Sequence, residues 1–331
     1  MIKNTATIIL LSSLMMMTSC LKKETPIAPY DRGDVEQASV AIGGNYEKQT
    51  FFSLSNGASS SYIKTSWDLA FESTENGTRI ILNTAKRMYA ANTGSNNFNL
   101  SDTNGMELTF KWDNANLQAD SLALYGWITT SGELANQLWV VDRGTDESLN
   151  NIGIKKIQLV AYDGDSFTMK YGNLDNTDTS TIQIYKNNSS NFTYFSFDNG
   201  GEVVSIEPDK ENWDFLFTQY VHTFYTPSFE DYLVVGVLIN HDHIEVAKVF
   251  DQSFEDIGIN DVVNYTFSNS PNTIGYDWKF YDFGAGGYVI VPGRNYVIKN
   301  NQDGFYYKLR FIDFYDEQGE KGNPVFEYQK I

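Results

Sequence analysis

One cysteine, seven prolines and three histidines in 331 residues exclude several ways of building and using a protein. A lone thiol, Cys20, can close no disulfide within the chain, so a hydrophobic core must supply the stability. With little proline and 15% aromatic residues, mostly Phe and Tyr, the composition is not that of a disordered chain and provides material for sheet cores. Positive charge is scarce too, with 24 Lys and Arg against 42 Asp and Glu. Phosphate backbones are bound by neutralising their charge, which an acidic surface opposes, so nucleic acid is not an expected partner. The acidity serves solubility. Three scattered histidines, with no nucleophile placed beside a base and an orienting group, also argue against an enzyme.

What is present begins with an export signal. Lys3 precedes an apolar and hydroxyl-bearing run, Ala6 to Met17, and then Thr18-Ser19-Cys20. That run is about twelve residues, short of the roughly twenty that cross a bilayer, so it reads as a signal peptide, residues 1–19. The ending Met17-Thr18-Ser19-Cys20 resembles the lipobox of bacterial lipoproteins, with Met17 where leucine is usual. The resemblance implies acylation of Cys20, palmitate included, and a lipid-anchored protein at the outer membrane of the cell envelope. Loss of residues 1–19 would leave 23 basic and 42 acidic side chains, a net charge of −19. From the lipidated Cys20 to Asn45 the chain is polar, carries two prolines and a glycine pair, and has no apolar period: a tether.

Beyond the tether the pattern is all-β. Ile182 and Ile184 alternate with polar neighbours, as do Tyr307, Leu309 and Phe311 with Lys308 and Arg310, which predicts half-buried strands. Tyr232 to Ile239 reads as a strand buried on both faces, and Asn260 to Tyr265 as a short helix. Asn56-Gly57, Asn76-Gly77, Asn104-Gly105, Asp163-Gly164, Asn199-Gly200 and Asp303-Gly304 are the dipeptides that tolerate the positive φ of tight hairpins. Three blocks also recur in order. Phe51-Phe52-Ser53-Leu54-Ser55-Asn56-Gly57 and Trp67-Asp68-Leu69-Ala70-Phe71 match Tyr194-Phe195-Ser196-Phe197-Asp198-Asn199-Gly200 and Trp213-Asp214-Phe215-Leu216-Phe217. Lys156-Ile157-Gln158-Leu159-Val160 matches Lys308-Leu309-Arg310-Phe311-Ile312. The repeat predicts two tandem β units, residues 46–185 and 186–331, each large enough for a core of its own, with Trp67 and Trp213 in matching core positions.

Trp213-Asp214-Phe215-Leu216-Phe217, Ile274-Gly275-Tyr276-Asp277-Trp278, and the ending from Tyr296-Val297-Ile298-Lys299 through Phe305 to Phe311, Gly319 to Gly322 and Phe326-Glu327-Tyr328 together resemble the HmuY family. The resemblance is strongest over residues 192–331 and makes the first unit a degenerate copy, as in longer members. It implies an all-β sandwich of a Gram-negative lipoprotein that captures haem and passes it to an outer-membrane receptor. Family members hold haem iron through His or Met, and iron in haem needs a His nitrogen, a Met sulfur or a Tyr oxygen. Here the last methionine is Met169 and no histidine follows His243, so no ligand transfers residue by residue.

The candidates are therefore read from the chain itself. His241-Asp242-His243 falls at an expected hairpin tip, where the two histidines could share a metal, turn one toward a haem, or form a solvated turn. His222 lies in the alternating run Gln219 to Tyr225, as a ligand or as a hydrogen-bonded sheet residue. Tyr276, Tyr281 and Tyr288 flank Gly284-Ala285-Gly286-Gly287, as ligands or as packing. No metal site is supported: the acidic turns Asp163-Gly164-Asp165 and Asp175-Asn176-Thr177-Asp178 lack the calcium loop's terminal glutamate, and the glycine run lacks the lysine of a phosphate loop. The expected function is capture of haem or another small ligand for uptake. The alternatives are a structural or interaction module of the envelope, such as an adhesin or an accessory transport subunit, and carbohydrate binding by exposed aromatics.

Overall fold

Short runs rich in β-branched and aromatic residues, punctuated by Asn-Gly and Asp-Gly, fold into twenty strands and five 3-10 helices in the described residues, 32–331, of this computed structural model. Strands are numbered in chain order. One sheet runs β1 (Glu36–Ser39), β20 (Lys321–Lys330), β19 (Tyr306–Tyr315), β18 (Asn295–Asn300), β15 (Ile244–Val249). A second runs β10 (Ser180–Tyr185), β9 (Ser166–Gly172), β8 (Ile154–Tyr162), β7 (Leu138–Asp142), β6 (Tyr89–Asn92). A third holds β12 (Glu202–Val204), β11 (Phe192–Ser196), β4 (Leu69–Glu72) and β5 (Ile80–Leu82), and a fourth β14 (Glu230–Ile239), β13 (Phe215–Phe224), β2 (Lys48–Phe52) and β3 (Ser59–Ile63). A separate hairpin pairs β16 (Lys279–Asp282) with β17 (Gly287–Ile290). Every strand pair is antiparallel, which suits a chain joined by short turns. At the β11–β12 turn Asn199 and Gly200 both take positive φ, 55° and 84°, the pair of values that these two residue types adopt at least cost.

The strand pairing crosses the boundary placed between residues 185 and 186. β11 and β12 leave the C-terminal block to pair with β4 at Tyr194↔Ala70, and β2 and β3 leave the N-terminal block to pair with β13 at Phe51↔Leu216. β1, within the stretch 20–45 expected as a tether, closes on β20, whereas β10 pairs with β9 inside the N-terminal block. The two sequence repeats thus exchange their leading strands. Residues 33–331 form one compact unit, with one core gathering Phe52, Phe215, Trp278 and Leu309 and another gathering Phe71, Trp127, Phe167 and Phe195. A smaller cluster joins Phe51, Trp67, Phe192, Tyr194 and Trp213 where the exchanged hairpins meet.

Equivalent residues of the repeat do equivalent work. The Asp68 amide donates to Phe195 O and the Asp214 amide to Phe52 O, both at 2.8 Å. The Asp68 carboxylate accepts from the Phe197 amide (2.8 Å) and the Asp214 carboxylate from the Leu54 amide (2.6 Å). Asn83 Nδ2 donates to the carbonyls of Lys64 and Trp67, and Asn240 Nδ2 to those of Lys210 and Trp213. A bulge interrupts β8 after Leu159 and β19 after Phe311, at matched positions.

Two local expectations change. Lys308 does not face solvent in alternation with Leu309: it is buried, its Nζ donates to Phe254 O (2.8 Å) and lies 4.6 Å from the Phe254 ring centre, and Lys156 is held in the same way over Phe98. Loop carbonyls and a ring face replace water around each ammonium. The strand expected from Tyr232 to Ile239 starts at Glu230, and only its Val234–Val237 stretch is buried throughout, while Tyr232 is exposed. The helix expected at Asn260 to Tyr265 is a 3-10 segment, Ile259–Asn264.

Candidate functional site

The long hairpin of β13 and β14 sets His222 opposite Tyr232, so both side chains leave the same face of the sheet. Tyr276, just after the bridge between Gly275 and Val237, brings its ring to 4.7 Å from the His222 ring centre. Phe224 closes the group, 4.9 Å from His222 and 5.8 Å from Tyr276. Tyr225 and Phe229, about 70% exposed and 5.9 Å apart, form a second aromatic pair at the hairpin tip. Contiguous exposed aromatics of this kind mark a contact surface for a ligand or partner.

Electrostatics separates the two polar rings. Burial lowers the His222 imidazole, with Asp277 pulling the other way, so it is neutral at neutral pH and keeps a lone pair. Burial, and then Asp277, raises the Tyr276 phenol, which therefore stays protonated. Asp277 itself pairs with Arg294 (2.8 Å) and Lys248 (3.2 Å). Of the two groups, His222 is the one that could donate to iron.

The other candidates lie elsewhere. Asn240 to His243 is a turn between β14 and β15, and the two histidines engage different partners. His241 Nε2 is 3.2 Å from the Arg79 guanidinium; arginine only donates, so that nitrogen accepts and its lone pair is taken. Burial, with Arg79 adding to it, pushes the His241 imidazole down to about 4. His243 is buried with Nε2 2.9 Å from Asp214 Oδ1, the place that Lys86 takes against Asp68 at 2.5 Å. Both His243 and Lys86 send their backbone N–H to the preceding asparagine's carbonyl, of Asn240 and Asn83. The i, i+2 spacing therefore does not converge on one ion, and no cluster of three or more His, Cys, Asp or Glu able to hold a metal occurs among the described residues. Tyr281 sits on the β16–β17 hairpin, exposed, with its ring 5.3 Å from Tyr288 and 5.1 Å from Phe283. Cys20 lies outside the described residues.

Sequence reasoning reaches His222 and Tyr276 singly but not their meeting, since 54 positions separate them. Phe224 carries a signal in the alternation of its strand; Asp277 carries one only as part of the Ile274–Trp278 motif, and its proximity to His222 and Tyr276 is through space.

A sequence model of the HmuY protein family matches residues 45–328, through both blocks of the repeat. The chain belongs to the HmuY family. Among solved structures it is similar to an apo HmuY analog of Tannerella forsythia, at 12% identity, TM-score 0.32, covering 91% of this chain and 98% of that one. It is also similar to apo PinO from Porphyromonas gingivitis, at 9% identity, TM-score 0.26 and coverage of 90% and 98%. A third is a HmuY-like protein of Bacteroides vulgatus, at 10% identity, TM-score 0.23 and coverage of 90% and 95%. No curated protein matches. No helix of the described residues is long and apolar enough to cross a membrane.

Proposed function

We propose that this HmuY-family chain is a non-catalytic, lipid-anchored envelope protein that captures haem on the His222–Tyr276 surface. The observation that carries the reading is the imidazole of His222, neutral and half-exposed, with no hydrogen bond to its ring among the described residues, set in a floor of Tyr276 and Phe224 rings. Haem would supply an iron centre and a flat apolar ring; His222 would hold the iron, and Tyr276, Phe224 and Tyr232 would pack against the apolar ring. Ligation from a second histidine does not fit, because His241 and His243 are committed to Arg79 and Asp214. Among the histidines, His222 alone would then hold the iron. Membrane attachment through Cys20 and transfer to an outer-membrane receptor complete the proposal.

Haemin titration of the purified chain tests it. The expected result is a Soret shift of the mono-histidine kind that His222→Ala abolishes and Tyr276→Phe weakens without abolishing. A spectrum unchanged in His222→Ala, or no spectral change in the wild type, would overturn it, and the latter would favour an interaction module. For that second reading one observation speaks: Phe283, at the tip of the β16–β17 hairpin, is 91% exposed.

A further inference from the structure

Where the exchanged hairpins meet, a cavity of about 100 Å³ opens between the two Trp-Asp blocks. Its walls include both indoles, Trp67 and Trp213, with Phe192, Leu216 and Leu238. Glu207 and His241, both partly buried, also line this cavity.

The polar part of the wall is short of positive charge. Glu207 accepts from the amides of Asn191 (2.9 Å) and Phe192 (3.1 Å), from Trp213 Nε1 (3.2 Å) and from the Tyr194 hydroxyl, all neutral donors. Asp113, fully buried, accepts from the amides of Leu82 (2.5 Å) and Ala123 (2.7 Å). Neither carboxyl forms an ion pair with a lysine or arginine among the described residues, and burial holds both up at about 7. Asn191 is 2% exposed and lines the same cavity; its Nδ2 donates to Asn240 Oδ1 at 2.9 Å, which fixes the amide's orientation, and its Oδ1 has no partner. His241, with its lone pair turned to Arg79 and its imidazole neutral, brings no charge. Buried carboxyls and an orphaned acceptor are costly unless a donor or a cation meets them. Indole faces are the best aromatic partners for an alkylated cation.

We propose that this cavity binds a small organic ammonium ion, its N–H directed to the Glu207 carboxyl and its alkyl groups against Trp67, Trp213 and Leu216. Its volume sets the size: a cavity of about 150 Å³ holds one benzene ring, so this one takes a methylated ammonium and not an aromatic amine. The site is separate from the haem reading and stands or falls independently of it.

Trimethylammonium chloride is the probe and tert-butanol, similar in shape and uncharged, the comparison, with tryptophan fluorescence and melting temperature as readouts. Trimethylammonium is expected to change the fluorescence saturably and raise the melting temperature, tert-butanol to do neither. Glu207→Gln should weaken binding by about tenfold, the order of one charge-assisted contact. Leu216→Trp, which fills the cavity from a half-buried position, should abolish binding with the far-ultraviolet circular dichroism unchanged. Equal binding of the two probes would overturn the cationic assignment. A saturable change with neither would show the cavity to be a water pocket, and either result can be read from the wild type alone if a variant does not fold.

Discussion

The Trp67-Asp68 and Trp213-Asp214 blocks hold the same backbone in the same way and differ in what answers the buried carboxylate. Asp68 is met by two cations, Lys86 at 2.5 Å and Arg143 at 2.9 Å, the latter shared with Asp198. Asp214 is met by His243 (2.9 Å) and Asn300 (3.1 Å). A repeated fold thus conserves the carboxylate's role, receiving an amide from the partner hairpin, while the side chains around it vary. The lesson for function is direct: a histidine that looks like a ligand in the C-terminal half occupies a position where the N-terminal half keeps a structural lysine.

The largest expected effect separates the two blocks. Asp68→Asn strands Lys86 in a site without water and should cost about 3–5 kcal/mol, whereas Asp214→Asn removes hydrogen bonds and should cost about 1–3 kcal/mol. Urea unfolding monitored by fluorescence measures both, and equal losses would break the comparison. Next, Asn83→Ala and Asn240→Ala should each cost about 1–3 kcal/mol, because each deprives two carbonyls of one amide, with Asn240→Ala the larger because it also strands the Asn191 Nδ2 donor. A loss at Asn83 exceeding that at Asn240 would show that the first repeat relies on this clamp more than the second.

The smallest effect is a pH dependence. His241 has no charged counterpart in the first block, and its imidazole, surrounded by Arg79, Glu72, Asp242 and His243, is held down at about 4, below its ordinary 6.5. A histidine whose folded pKa is depressed binds fewer protons folded than unfolded between those values. Its contribution is present above about pH 6.5 and is lost as the pH falls toward 4, with a slope of up to about 1.4 kcal/mol per pH unit. His241→Gln should flatten the acid limb of stability against pH by that one-proton slope; an unchanged limb would mean that the imidazole titrates normally.

Much was legible in the residue pattern. Aromatic and β-branched alternation with Asn-Gly and Asp-Gly turns announces an all-β chain, and the blocks around Trp67 and Trp213 announce the repeat, because period and turn chemistry are local. Lys156 and Lys308 stand in the matching block too, yet their burial is not local: it depends on carbonyls of other loops. The meeting of His222 with Tyr276 is missed for the same reason, and the separation of His241 from His243 depends on a turn whose side chains reach Arg79 and Asp214.

By itself the sequence determined the class of fold, the family and the equivalence of the two Trp-Asp blocks, since hydrophobic period, turn residues and ordered motifs are written along the chain. Only the tertiary structure decided which block each hairpin completes. A strand edge is satisfied by any edge of matching length and face, and two similar copies offer two such edges; the pairing of β2 with β13 and of β11 with β4 is the choice that the whole packed molecule makes.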